Sequence, residues 1–170
     1  MIAYLLAIGA LVAQRIAELP LSNRNAARLL ARGGVESGQG HYPLLIGFHA
    51  AWLTGLCFLA WGRPIEPFWL AVALVLQAAR AWVILSLAER WTTRIIVVPG
   101  EPLVRTGPYR WLKHPNYLVV ALELAVWPLA FGLPWYALAG VVLNLPVVAI
   151  RVRAEDRALA QAVGNPLSRR

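Results

Sequence analysis

The chain has 170 residues, of which 59% are hydrophobic and only 14% charged, and its mean hydropathy is +0.60. A water-soluble domain of that size needs a larger charged surface, so the composition excludes an ordinary soluble globule and predicts an integral membrane protein. The net charge of +8 does not point to nucleic acid: the cations sit in short segments between apolar runs, where they set topology and meet anionic lipid headgroups, and no base-reading motif accompanies them.

About 20 apolar residues span the hydrocarbon layer as a helix, and five stretches reach or approach that length. The first is Ile2–Leu21. It has no basic leading segment and carries Gln14, Arg15 and Glu18, so it reads as a retained helix rather than a removable signal. Ser22–His41 follows as a loop, with Gly33–Gly40 flexible by composition. The second span is 42–61 and contains Cys57, a lone cysteine that permits no intramolecular disulfide and reads as a small buried hydrophobe. After the turn Gly62–Glu66 comes the third span, 67–87, then the longest polar segment, Glu89–Pro115. The fourth span, 116–131, is short. A tight turn at Gly132–Pro134 leads into the fifth, which begins at 135 and continues as a polar helix to about 157. The expected architecture is a single all-α, polytopic membrane domain over residues 1–170.

Five spans put the three long polar segments on one face, and thirteen of the 16 cations lie there, Arg169 and Arg170 of the tail included. The positive-inside rule then places the N-terminus outside and the C-terminus in the cytoplasm; four or six spans would divide the basic segments between faces. Trp52, Trp61, Trp69, Trp127 and Trp135 fall at or near the outer ends and read as interfacial anchors.

Charges inside a span are costly and face the protein interior or a cavity. Arg80 lies ~13 Å above Glu89, and Glu123 ~12 Å above Pro115, at the helical rise. Asn144 is level with Glu123, because both are equally far from the Gly132–Pro134 turn. These three residues are expected to line a polar substrate pocket; the bland alternative is a structural helix–helix network. Pro128 and Pro146 within spans would bend their helices. No His, Cys and acid set has metal-ligand spacing, His41 and His49 included.

Most of the remaining polar information lies in Glu89–Tyr117 and Arg151–Arg157. The first segment contains Leu103-Val104, Gly107-Pro108-Tyr109 and Lys113-His114-Pro115-Asn116-Tyr117; the second contains Arg151, Glu155 and Asp156. Together they resemble the signature of the isoprenylcysteine carboxyl methyltransferase family, over roughly the C-terminal half of the chain. Lys113 replaces the usual arginine, Glu101 stands where many members have histidine, and the short tail lacks the family's aromatic-rich ending. The resemblance implies S-adenosylmethionine as cofactor, bound in a cytoplasmic cup by segments 89–117 and 151–164. It implies cofactor contacts at Leu103, Val104, Gly107, Tyr109, His114, Pro115, Asn116, Tyr117, Glu155 and Asp156.

Residue chemistry is compatible with that cup. Acids suit ribose hydroxyls or cationic groups, backbone amides at a helix N-terminus suit a carboxylate, and aromatic faces suit a sulfonium. His114, Glu123 and Arg151 are the candidate catalytic residues: Arg151 or Arg80 to steady a carboxylate acceptor, His114 or Glu123 as base for a phenol or enol. The implied partner is a lipophilic or prenylated acceptor taken from the membrane lipids. Trp91-Thr92, Ile96–Pro99, the His114–Tyr117 run and Glu123 resemble a bacterial subgroup associated with type III polyketide synthases, which implies an inner-membrane enzyme acting on alkylpyrones or alkylresorcinols; an isoprenylcysteine carboxylate is the other acceptor implied. Two other classes compete: an NADPH-dependent membrane reductase of related architecture, and a non-catalytic lipid-binding protein. Nothing in the sequence fixes an oligomeric state.

Overall fold

The first helix, α1 (Ile2–Ala31), does not stop where the apolar run stops. Thirty residues make a rod ~45 Å long, so its last third stands clear of a hydrocarbon layer. The extension through Pro20 corrects the expectation of a loop from Ser22, and its physical reason is burial: Ser22, Asn25, Ala26 and Leu29 recur at helical spacing and are all buried. The segment after the third helix covers them. Asn25 Nδ2 donates to the carbonyls of Ala88 at 3.1 Å and Trp91 at 2.9 Å. Ala88 has φ 49°, a left-handed backbone that a residue with a Cβ rarely adopts, and Asn25 fastens that turn.

The computed structural model describes residues 2–164; Met1 and the tail cations Arg169 and Arg170 lie outside the described residues. The other helices are α2 (Tyr42–Leu59), α3 (Pro67–Leu87), α4 (Pro115–Leu129) and α5 (Pro134–Gly164). Proline opens α3, α4 and α5 at the first helical position, where its missing N–H costs nothing. The supposedly flexible Gly33–Gly40 instead contains a strand, β1 (Val35–Ser37), paired antiparallel with β2 (Ile95–Val97) so that Val35 faces Val97 and Ser37 faces Ile95. β-Branched residues at 95–98 suit a pleated ribbon, and this one staples the end of α1 to the loop before α4.

α4 packs against both α3 and α5 and is the most enclosed helix, burying Val119, Glu123, Leu124, Val126 and Trp127. α2 reaches α5 where Gly55 leaves room for Tyr136: a Cβ there would stand 2.2 Å from the phenol oxygen, which donates to the Trp52 carbonyl at 2.7 Å. The apolar core gathers at the hairpin end, from Tyr4, Leu11, Leu56, Ala60, Trp127 and Phe131. Trp127 is therefore core rather than an anchor, and Trp52 and Trp69 are half-buried against that core; Trp61 and Trp135, 62% and 81% exposed, keep the anchoring position. Cys57 is half-buried, with its backbone carbonyl accepting from the Tyr4 hydroxyl at 2.5 Å.

Large apolar side chains are exposed on every helix, among them Leu6, Phe58, Phe68, Leu85, Leu122 and Leu145. α1, α2, α3 and α5 are long and apolar enough to cross a membrane, with α4 a shorter apolar helix beside them. The protein is an all-α, polytopic integral membrane protein in which lipid, not water, solvates those faces.

Candidate active site

The core fills the hairpin end and leaves a cavity of about 870 Å³ toward the end carrying the long polar segments. One face of α5 forms a wall: Asn144, Val148, Arg151, Glu155 and Leu159 all line it, at the spacing that puts residues on one stripe. α4 supplies Asn116, Tyr117, Val120, Glu123 and Leu124 opposite, and segment 92–105 closes the mouth.

Arg151 dominates the polar half. It is only 4% exposed, yet no carboxylate pairs with it among the described residues. Its Nη2 donates to the Thr93 carbonyl at 2.8 Å, while Nε and Nη1 are buried without a partner among the described residues. Asn116 Oδ1 and Asn144 Oδ1 are buried and unpartnered in the same sense. Buried polar groups are nearly always satisfied in a finished protein interior, so two unpartnered guanidinium nitrogens on α5 and two unpartnered amide oxygens, one on α5 and one on α4 facing it, can hold a polar, partly anionic molecule.

At the mouth, His114 caps α4 and meets the polar extension of α5. Its Nε2 lies 2.9 Å from Asp156 Oδ1 and its Nδ1 3.5 Å from Glu155 Oε2, while Lys113 Nζ is 2.6 Å from the same Asp156 oxygen. The bond to Glu155 is the chief reason the His114 imidazole titrates above its usual range; burial opposes it and Asp156 adds to it. Lys113 first, and His114 as well, hold the Asp156 carboxyl below its ordinary value. Burial, with Glu155 beside it, pushes the Tyr109 phenol up, so it stays a neutral hydroxyl.

These shifts fix the pH response of the loop–helix clamp. A raised histidine contributes stability fully below its unfolded value of about 6.5 and loses it as pH climbs through the folded value; a depressed aspartate contributes above about 3.9 and loses it as pH falls through the folded value. The clamp is therefore tightest between about pH 4 and 6.5. Ring-proton NMR of the protein in nanodiscs should give His114 a titration midpoint above 6.5, and Asp156→Asn should move it down. A midpoint at or under the ordinary histidine value would mean the ring is not gripped by the two acids.

Deeper in the cavity lies a buried ion network. Arg80 grips Glu18 with both ends of its fork, Nε to Oε1 and Nη2 to Oε2 at 2.6 Å each, and its Nη1 reaches Glu123 Oε2 at 3.2 Å. Arg15 Nη2 donates to Glu123 Oε2 at 2.8 Å and its Nη1 to Glu18 Oε2 at 3.4 Å; Gln77 Nε2 donates to Glu123 Oε1 at 2.9 Å. Two guanidiniums and two carboxylates cancel in charge and tie α1, α3 and α4 together.

The family model for "Isoprenylcysteine carboxyl methyltransferase (ICMT) family" matches residues 69–161, which run from α3 to the polar part of α5. The chain belongs to the isoprenylcysteine carboxyl methyltransferase family. It is 37% identical to the uncharacterized protein YpbQ of Bacillus subtilis (strain 168) over 161 residues, covering 92% of this chain and 96% of that one. An uncharacterized protein of Haemophilus influenzae is 26% identical over 156 residues, 88% of this chain and 91% of its own. No solved structure matches.

Of the residues expected at the family's cofactor site, Leu103, Val104, Tyr109, His114, Asn116, Tyr117 and Glu155 line the cavity, with Arg151 between them and the deeper Asn144. Gly107, Pro115 and Asp156 do not. Gly107, at φ 56°, lies against α3, where a Cβ would fall 2.0 Å from Ser86 Oγ; Pro115 starts α4; and Asp156 holds Lys113 and His114 from behind. Glu101 pairs with Arg32 and, at 3.0 Å, with Arg90, bracing the loop to α1.

Arg80, Glu123 and Asn144 do line one cavity, but the first two are spent on the ion network, so the expected open polar pocket is partly a closed brace. Sequence reasoning missed Arg15 and Glu18 as its partners, although two opposite charges in an apolar run were a visible signal. Thr93 was also missed. Its hydroxyl meets Ser22 at 2.9 Å and Tyr42 at 2.8 Å, and its carbonyl takes Arg151, so one residue joins α1, α2 and α5. No spacing in the sequence announces such a hub.

Proposed function

We propose that the protein is an S-adenosylmethionine-dependent methyltransferase that O-methylates a lipophilic acceptor drawn from the membrane. The observation that carries this reading is Arg151: a buried guanidinium with two unpartnered donors, in a cavity whose mouth is polar and whose stem is apolar. Family membership supplies the reaction class.

The residues present fit the cofactor. Glu155 and the free Asn116 Oδ1 suit its ammonium or ribose hydroxyls, Tyr109 and Tyr117 offer aromatic faces to a cation, and Leu103 with Val104 offers an apolar rest for a base. When bound, S-adenosylmethionine supplies a methyl group already activated on its sulfonium. The protein's own work is alignment and exclusion of water. Arg151 holds the acceptor oxygen, because all three of Arg80's bonding nitrogens are committed to Glu18 and Glu123. His114 is held by two acids and acts as a clamp on the mouth rather than as a base. Val120, Leu124, Val148 and Leu53 line the stem and take the acceptor's chain.

The acceptor is either an alkylpyrone- or alkylresorcinol-type polyketide or an isoprenylcysteine carboxylate, reached sideways from the bilayer. The mouth faces the cytoplasm of a bacterial inner membrane, with the N-terminus outside, in keeping with the concentration of cations at that end. The test is ligand binding to purified protein in nanodiscs: S-adenosylhomocysteine raises the melting temperature and NADPH does not. A shift with NADPH alone would replace the methyltransferase reading with a reductase one; Arg105, Arg110 and Lys113 at the mouth would then serve a phosphate.

A further inference from the structure

We infer that His49, on α2 and outside the segment matched by the family model, is the base that receives the acceptor's hydroxyl proton. This rests on the methyltransferase reading and narrows its acceptor to a phenol or enol.

His49 lines the cavity. Its Nδ1 lies 2.9 Å from the Leu45 backbone carbonyl. A carbonyl only accepts, so Nδ1 carries the ring proton and the neutral imidazole has its lone pair on Nε2. Because Nδ1 is turned back on its own helix, Nε2 occupies the ring edge turned away from it. Phe48 stands edge-on to the ring, centroids 5.2 Å apart, and limits its rotation.

The unpartnered donors of Arg151 suit a developing oxyanion on the acceptor. The guanidiniums of Arg15, Arg80 and Arg151 line the same cavity as His49. Arg15 and Arg80 are balanced by Glu18 and Glu123, which leaves Arg151 as the unbalanced guanidinium of these three. The other candidate bases are engaged: His114 between two acids, Glu123 by two guanidiniums and an amide. In the step, the acceptor O–H proton passes to His49 Nε2 and the oxygen forms its bond to the methyl carbon. The carbon–sulfur bond breaks with its electron pair going to sulfur, so the sulfonium becomes a neutral thioether. Water then takes the proton from the imidazolium. A carboxylate acceptor would leave His49 with nothing to do.

The cofactor-free test uses a 4-nitrophenol bearing a nonyl chain, whose ionisation is visible in its absorbance. Bound to the wild-type protein in nanodiscs, at a pH where the probe stays protonated both in empty nanodiscs and beside Arg151 in a His49→Leu control, it should show the phenolate band. His49→Phe and the polar His49→Gln should return it to the phenol form, while both variants keep the S-adenosylhomocysteine thermal shift that reports an intact fold. With methyl-labelled cofactor, turnover of an alkylresorcinol should fall roughly 100-fold in both, the scale of a lost general base. An unchanged probe band, or unchanged turnover, in a variant that still binds S-adenosylhomocysteine overturns the role of His49 alone. A His49-dependent band in a wild-type protein that ignores S-adenosylhomocysteine would instead overturn the methyltransferase reading and leave His49 as a base for other chemistry.

Discussion

Replacing Arg151 by Met should lower turnover roughly 100- to 1,000-fold, the usual scale for removing a donor aimed at a reacting oxygen, while S-adenosylhomocysteine binding stays within a few-fold of wild type. Arg151 is one turn deeper than Glu155 on the same helical stripe, so it lies below the cofactor cup and above Asn144. Among the described residues it makes a hydrogen bond to the Thr93 carbonyl, and the Tyr117 phenol lies beside it. Methionine keeps much of the side-chain length and removes both charge and donors. The variant should fold, since burying an unpaired cation costs stability rather than supplying it. Arg151→Lys should recover part of the rate, because a point charge remains but the fork is lost. The measurement is transfer of labelled methyl to lipid extract, alongside cofactor affinity by titration. A parallel loss of affinity and rate would move Arg151 from the acceptor to the cofactor.

The second large effect is on stability. Arg80→Met should destabilise the protein by about 3–5 kcal/mol, the cost of removing one partner from a buried ion pair. The change leaves Glu18 and Glu123, 8% and 3% exposed, sharing the single cation Arg15, with one glutamine amide on each. Both carboxylates are held at a depth where water cannot replace the lost guanidinium. Adding Glu18→Met to Arg80→Met restores the charge balance with Arg15 and Glu123 still paired, so the double variant should regain much of the loss. A double-mutant cycle in mild detergent reads the coupling directly. Additive losses across the cycle would show that the crossed fork between α1 and α3 contributes no pairwise stability.

Much of the architecture was legible from composition and punctuation. Apolar length gave the membrane spans, with Pro67 at the start of the third and the fourth and fifth placed one residue after the helix starts at Pro115 and Pro134, and Gly132 marked the tight turn between α4 and α5. The misjudged parts share a cause. The extension of α1 past Pro20 is buried only because the loop after α3 lies on it, and β1 exists only because β2 is its partner. Trp127 looked like an anchor because depth along a span can be counted from a turn, whereas the direction a residue faces cannot.

By itself, then, the sequence determined the membrane setting, the five helices and the residue types gathered at the polar end, since each follows from local apolar length, turn chemistry and motif. Tertiary structure decided which charges meet. Helices that are apolar nearly all round carry little signal of which face turns inward. Whether Arg80 stands in an open pocket or closes on Glu18, and whether Arg151 keeps its donors free, depends on helix rotation that only packing sets.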